Sequence, residues 1–165
     1  MKPLATHSRC VVRPTGIIGL VVALSIAVAL TGCQDSVVGQ YRMEGSSMEP
    51  TLSDATVVDI IDYGDAKPRR GDLVVFRFPG SPDRDFLKRI VGEPGDTVEI
   101  RNGTVYIDGA PLDEPYITNK PAYTYGPAHV PPKNYFVLGD NRNDSYDSNL
   151  WGFLPEENIT GRVDL

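Results

Sequence analysis

Two kinds of hydrophobic pattern divide the chain. Thr15 to Gly32 reads TGIIGLVVALSIAVALTG, one apolar run with no charge and no proline. Its 18 residues lie near the lower limit for a membrane-spanning helix and above the usual apolar stretch of a cleaved signal. After residue 33 the apolar residues come instead in short β-branched runs, and no long stretch keeps a 3.6-residue period. VVGQYRM (37–43) reads as extended and leads into the turn-rich Glu44-Gly45-Ser46-Ser47-Met48-Glu49-Pro50. Strands are predicted at 55–62 (ATVVDIID), 71–78 (GDLVVFRF) and 85–92 (DFLKRIVG). The runs 96–101 and 104–108 flank Asn102-Gly103, a strong hairpin signal, and Asp108-Gly109 supplies a second tight turn. Residues 113–134 are rich in Pro and Tyr and predict an irregular excursion with at most a short strand. Tyr135 to Leu138 (YFVL) is a strand again and enters Gly139-Asp140-Asn141-Arg142.

This pattern predicts a mostly β, antiparallel domain with many Gly and Pro turns, preceded by one N-terminal apolar helix. The chain has no internal repeat and no low-complexity tract, and 165 residues suit one folded domain. The organisation read from it is a basic tail at 1–14, an apolar segment at 15–33 and an exported domain at 34–165.

Charge sharpens that division. Before residue 34 the charged side chains are Lys2, Arg9 and Arg13, all basic; the remainder holds all 22 acidic residues and the other 13 basic ones, a net of −9. A basic flank before an apolar run predicts a cytoplasmic N-terminus, with the acidic remainder on the outer face of the plasma membrane. The run ends Leu30-Thr31-Gly32-Cys33, which resembles a bacterial lipobox. Two tethers therefore stay open: an uncleaved helix, or a lipid on Cys33 after the segment is removed. The overall charge of −6, with no basic run beyond Lys67-Pro68-Arg69-Arg70, argues against nucleic acid as a partner.

Elimination narrows the chemistry. Cys10 and Cys33 flank the apolar segment, so the exported domain has neither a disulfide framework nor a cysteine nucleophile. His7 and His129 are the two histidines; the first precedes the apolar run and the second sits in the loop-like PAHVPP. That leaves no Ser-His-Asp triad and no closed zinc site. Neither a phosphate-binding nor a dinucleotide fingerprint occurs, and no metal or other cofactor is expected. What remains is a serine with a lysine base. Lysine can serve only if burial drives its pKa far below about 10.4. Lys88 fits, because strand alternation in Phe86-Leu87-Lys88-Arg89-Ile90-Val91 puts Phe86 and Ile90 on its face and turns Arg89 away. Taken alone, a strand lysine reads more simply as a snorkelling surface residue.

Four segments in order change that balance: Gly45-Ser46-Ser47-Met48-Glu49-Pro50-Thr51-Leu52, Gly71-Asp72-Leu73-Val74-Val75-Phe76, Phe86-Leu87-Lys88-Arg89-Ile90-Val91-Gly92-Glu93-Pro94-Gly95-Asp96, and Gly139-Asp140-Asn141-Arg142-Asn143-Asp144-Ser145-Tyr146-Asp147-Ser148 with Trp151-Gly152. Together they resemble the boxes of type I signal peptidases, over residues 41–163. The resemblance implies a β catalytic core with a small β excursion at about 100–132. It implies a membrane-bound serine endopeptidase that acts as a monomer, removes signal peptides from exported preproteins and cuts after small residues. Ser47 would attack and Lys88 would take its proton. Ser145 would hold the Lys88 amine, and Asp147 would brace Lys88 through Arg89. The substrate would lie as an added strand between the chain before Ser47 and the strand before Lys88, with Met48, Leu52, Phe86 and Leu87 lining its pockets. Three departures stand out. Gly45 occupies a position where some members carry a hydroxyl, so the oxyanion would rest on backbone N–H groups, chiefly that of Ser47. Asn149 replaces a common arginine, and the order Asn143-Asp144 is reversed. Two other readings stay open: a tethered peptide-binding scaffold that has lost activity, and a processing peptidase dedicated to one substrate.

Overall fold

The computed structural model describes residues 36–165; the basic tail, the apolar run and its tether at Cys33 lie outside the described residues. The short β-branched runs form strands, all paired antiparallel among the described residues. In chain order they are β1 (Val37–Arg42), β2 (Val57–Ile61), β3 (Leu73–Arg77), β4 (Asp85–Gly92), β5 (Thr97–Arg101), β6 (Thr104–Ile107), β7 (Ala110–Pro111), β8 (Tyr125–His129), β9 (Asn134–Leu138), β10 (Leu154–Pro155) and β11 (Ile159–Val163). One helical turn, α1 (Ser148–Trp151), follows the 139–147 loop. Among the described residues no helix is long and apolar enough to cross a membrane.

The larger sheet has the order β1-β2-β11-β3-β4-β9-β10. Alternation along β4 sends successive side chains to opposite faces. Leu87 packs with Met43, Val75 and Val163, whereas Ile90 and the half-buried Phe86 pack with Val74, Phe76 and Val137. Lys88 pairs with Val74 across the ladder and so shares the second of these faces. Both faces of β3 are covered, which is why Leu73-Val74-Val75-Phe76 reads as a continuous apolar run rather than an alternating one.

The smaller sheet, β7-β6-β5-β8, is the excursion. It runs from Thr97 to His129, so its first strand starts before the expected boundary at 100. Asn102 and Gly103 both take positive φ (52° and 74°), the backbone that closes a two-residue hairpin in the twist of its strands. Val98, Ile100 and Val105 of this sheet bury against Val91, Phe136 and Leu138 at the ends of β4 and β9.

Sequence patterning did not reveal β11, nor the two-residue β10 before it. Strand β11 lies between β2 and β3 inside the larger sheet, although Gly161 and Arg162 interrupt its apolar pattern. Gly161 is required by close packing: a Cβ there would stand 2.6 Å from both an Ile60 methyl and the Ile61 carbonyl.

Candidate active site

The turn after β1 presents Ser47. The N–H of Glu49 donates to the Ser46 carbonyl (3.0 Å) and that of Leu52 to the Met48 carbonyl (2.9 Å), coiling the chain. Met48 and Leu52 sink into the cluster formed by Met43, Val58, Ile60 and Leu87, and anchor the coil from below. Both are buried, and neither is among the residues that line the open cleft beside Ser47. A Met followed four residues later by Leu in a tight coil puts both on its inner side, away from the serine.

Lys88 enters from β4 with its side chain only 6% exposed. Its Nζ stands 2.7 Å from Ser47 Oγ and 5.8 Å from the centroid of the Phe86 ring. Burial is the main influence on the amine and lowers its pKa from the ordinary lysine value; the Asp147 carboxylate, with Oδ1 3.8 Å from Nζ, pulls the other way and recovers only part. Asp147 is itself fully buried, and burial raises its carboxyl above the usual range against the opposing pull of Lys88, Ser145 and Gly139.

The expected supports are present with different partners. Ser145 donates its hydroxyl to Asp147 Oδ1 in a short hydrogen bond and not to the Lys88 amine. Asp147 Oδ2 accepts the Gly139 N–H at 2.9 Å. Asp147 therefore faces Lys88 directly rather than through Arg89. Arg89, on the opposite face of β4, forms a two-pronged pair with Asp140 (2.8 and 2.7 Å), and its Nη1 donates to the Gly71 carbonyl. Asp140 also accepts the Thr51 hydroxyl, tying the Ser47 coil to the same carboxylate. Strand alternation foretold that Arg89 turns away from Lys88; the carboxylate it meets depends on the path of the 139–147 loop.

That loop passes very close to the serine. A Cβ at Gly139 would fall inside contact distance of both Ser145 Oγ and the Ser47 carbonyl oxygen, so only glycine fits between them. Gly45 is a different case. Nothing lies within 4 Å of where its Cβ would be, but its φ of +77° strains any L side chain. Its N–H donates to Asp54 Oδ1 at 2.8 Å. The hydroxyl absent from this position is thus accompanied by a left-handed backbone.

The reversed pair Asn143-Asp144 now has a physical reason. Asn143 uses both ends of its amide on the small-sheet connection, donating to the Lys120 carbonyl (3.0 Å) and accepting from the Ala122 N–H (2.8 Å), which a carboxylate could not do. Asp144, an acceptor only, takes the Ser46 hydroxyl at 2.6 Å. Asn149 offers Asp147 no ion pair, and its Oδ1 is buried without a hydrogen-bond partner among the described residues.

Sequence reasoning missed one buried pair entirely. Arg142 has no exposed side-chain surface and grips Glu114 through both terminal nitrogens (3.0 and 2.7 Å), while its Nε donates to the Gly139 carbonyl. Burial is the largest influence and opposes the guanidinium charge, but Glu114 together with Tyr116 and Tyr123 leaves the pKa raised. Glu114 sits in the unpatterned Pro-rich stretch, where no periodicity marks a partner.

A cleft of about 480 Å³ opens over Ser47 and Lys88. Tyr41, Met43, Phe86 and Leu87 line it on the side of β1 and β4, and Ser145, Tyr146 and Leu150 on the side of the loop. Burial, with Glu44 and Asp85 adding to it, raises the Tyr41 phenol to about 12, so it stays protonated at neutral pH. Among the described residues no group of three His, Cys, Asp or Glu side chains is placed to hold a metal ion.

The family model described as signal peptidase, peptidase S26, matches residues 17–165. A probable signal peptidase I-2 from Synechocystis sp. is 44% identical over 151 residues, covering 87% of this chain and 68% of that protein. A signal peptidase I from Leptolyngbya laminosa is 43% identical over 151 residues, covering 86% and 74%. The crystal structure of a signal peptidase I from Enterococcus faecalis aligns with a TM-score of 0.54 at 35% identity, covering 59% of this chain and 97% of that one. With its family model matched over nearly the whole length and its β core shared with a solved member, the chain belongs to the signal peptidase family, peptidase S26.

Proposed function

We propose that the protein is a serine endopeptidase that removes N-terminal signal peptides from exported preproteins, with Ser47 as nucleophile and Lys88 as general base. The observation that carries this reading is a buried lysine of lowered pKa with Nζ 2.7 Å from the hydroxyl of a serine at the rim of a cleft. A serine hydroxyl is a weak nucleophile until a positioned base takes its proton. A lysine amine can take it only in its neutral form, which burial favours.

The neutral amine accepts the Ser47 proton as Oγ bonds to the scissile carbonyl carbon. The carbonyl oxygen becomes an oxyanion, met by the Ser47 N–H. Asp147, 3.8 Å from Nζ, offsets the ammonium charge that forms at this moment. The ammonium then protonates the leaving amine as the C–N bond breaks, leaving an acyl-Ser47 ester and a neutral lysine. Water, deprotonated by the same amine, releases the signal peptide and restores Ser47. Ser145 and Gly139 hold Asp147 in place through its two oxygens.

The substrate lies extended in the cleft between residues 41–44 and 85–88, held by main-chain hydrogen bonds. Phe86 and Leu87 belong to the walls that restrict it to small side chains before the cut. The apolar run at 15–32 or a lipid on Cys33 holds the 34–165 domain at the outer face of the plasma membrane, where it meets exported chains as a monomer.

The pH profile tests the base. Initial rates of preprotein cleavage rise with pH as Lys88 loses its proton, with a midpoint below the ordinary lysine value of about 10.4. A rate that stays flat from mildly acidic to alkaline pH excludes Lys88 from this role.

A further inference from the structure

With no side-chain donor at Gly45, the oxyanion depends on how well the Ser47 N–H is aimed, and the structure shows what aims it. Among the described residues no hydrogen bond engages that N–H. The carbonyl of the same peptide unit, that of Ser46, accepts two donors, the Glu49 main-chain N–H at 3.0 Å and, from the facing loop, Asn141 Nδ2 at 3.2 Å. The Asn141 main-chain N–H donates to the next carbonyl, that of Ser47, at 3.0 Å. Asn141 thus grips two successive carbonyls of the nucleophile turn. The Ser46–Ser47 peptide is trans, since the cis bonds precede Pro50 and Pro127. In a planar trans peptide the N–H points opposite to the C=O, so whatever fixes the carbonyl fixes the N–H. A hydrogen bond to the carbonyl also polarises the amide and strengthens its N–H as a donor. The flanks are pinned as well, Gly45 N–H to Asp54 and Ser46 Oγ to Asp144.

We infer that Asn141 is a positioning residue for the oxyanion hole: its side-chain amide adds a second hold, beside the Glu49 N–H, that locks the plane of the Ser46–Ser47 peptide and aims the Ser47 N–H at the charge that develops on the scissile oxygen. This rests on Ser47 being the nucleophile. Asn141 does not touch the reacting atoms; it acts through the peptide. A preset donor direction spares reorganisation in the transition state, the condition under which one oxyanion donor counts for most.

The test uses wild type, Asn141→Ala and the isosteric Asn141→Asp, whose carboxylate cannot donate to the Ser46 carbonyl. Both variants keep the main-chain bond to Ser47. Four quantities are measured on each: kcat and KM for a preprotein, the pH midpoint, inhibition by a peptide aldehyde, and affinity for the released signal peptide. The aldehyde adds Ser47 Oγ to its carbonyl carbon, and the serine proton moves by way of Lys88 to the new oxygen, so its affinity reports the oxyanion hole. In both variants kcat falls roughly 10- to 100-fold and aldehyde affinity falls in step. KM and signal-peptide affinity hold, and the pH midpoint holds in Asn141→Ala, which adds no charge beside Lys88. An unchanged kcat overturns the inference, as does a fall in kcat with unchanged aldehyde affinity, or with a displaced pH midpoint in Asn141→Ala. A wild type that neither cleaves nor binds the aldehyde overturns the Ser47 reading itself, a separate result.

Discussion

Lys88→Met is expected to abolish cleavage while making the folded domain more stable at neutral pH. The loss of activity is at least about 10⁴-fold, the scale on which removing a nucleophile's base lowers turnover in other serine peptidases. The gain in stability comes from the same burial that makes the amine useful. Unfolded, Lys88 binds a proton below about pH 10.4; folded, its pKa is lowered by burial, so the amine gives that proton up more readily. Between the two pKa values the unfolded chain binds more protons than the folded one. Lys88 therefore makes the wild type gain stability as pH rises through that window and lose it as pH falls. Methionine fills similar space with no charge to desolvate, and it removes both the cost and the slope. Unfolding of wild type and variant across neutral to alkaline pH should show the variant ahead at neutral pH and the gap narrowing toward pH 10. A variant less stable than wild type at neutral pH would mean that Lys88 is held as a stabilising ammonium, which a general base cannot be.

Glu114→Ala is expected to produce the largest loss of stability. Arg142 is fully enclosed, and Glu114 supplies the acceptors for both of its terminal nitrogens. Removing the carboxylate leaves a buried guanidinium without its counter-charge, a change that costs about 3–5 kcal/mol. The melting temperature should fall by on the order of 10 °C or more. Activity falls with it, because Arg142 Nε holds the Gly139 carbonyl while the Gly139 N–H holds Asp147. Glu114→Leu combined with Arg142→Met removes both charges, and it should recover part of the stability lost by Glu114→Ala alone. A double variant no more stable than the single one would show that the enclosed charge is not the source of the loss.

These two residues mark where the sequence was legible and where it was not. Lys88 could be read because its strand is local: alternation in Phe86-Leu87-Lys88-Arg89-Ile90 assigns it a buried face without reference to the rest of the chain. The Asn102-Gly103 hairpin was legible for the same reason, its backbone demand being written in two adjacent residues. Glu114 and Arg142 are 28 positions apart, and nothing in the composition of either neighbourhood points to the other. Asp140 as the partner of Arg89, and Asn141 behind the Ser47 turn, share that difficulty, since a loop's path decides them. Met48 and Leu52 were ambiguous by residue type, because a pocket wall and a core look alike until the coil's inner side is known. Strand β11 was hidden by Gly161, which close packing requires and which breaks the pattern that would have announced a strand.

Cleavage of an exported preprotein by wild type and by Ser47→Ala, with the N-terminus of the mature product sequenced, bears on the nucleophile directly. The expected result is a single cut after a small residue with wild type and none with Ser47→Ala, although the variant stays folded and still binds the released signal peptide. A Ser47→Ala protein that releases the same mature N-terminus at the wild-type rate would contradict it.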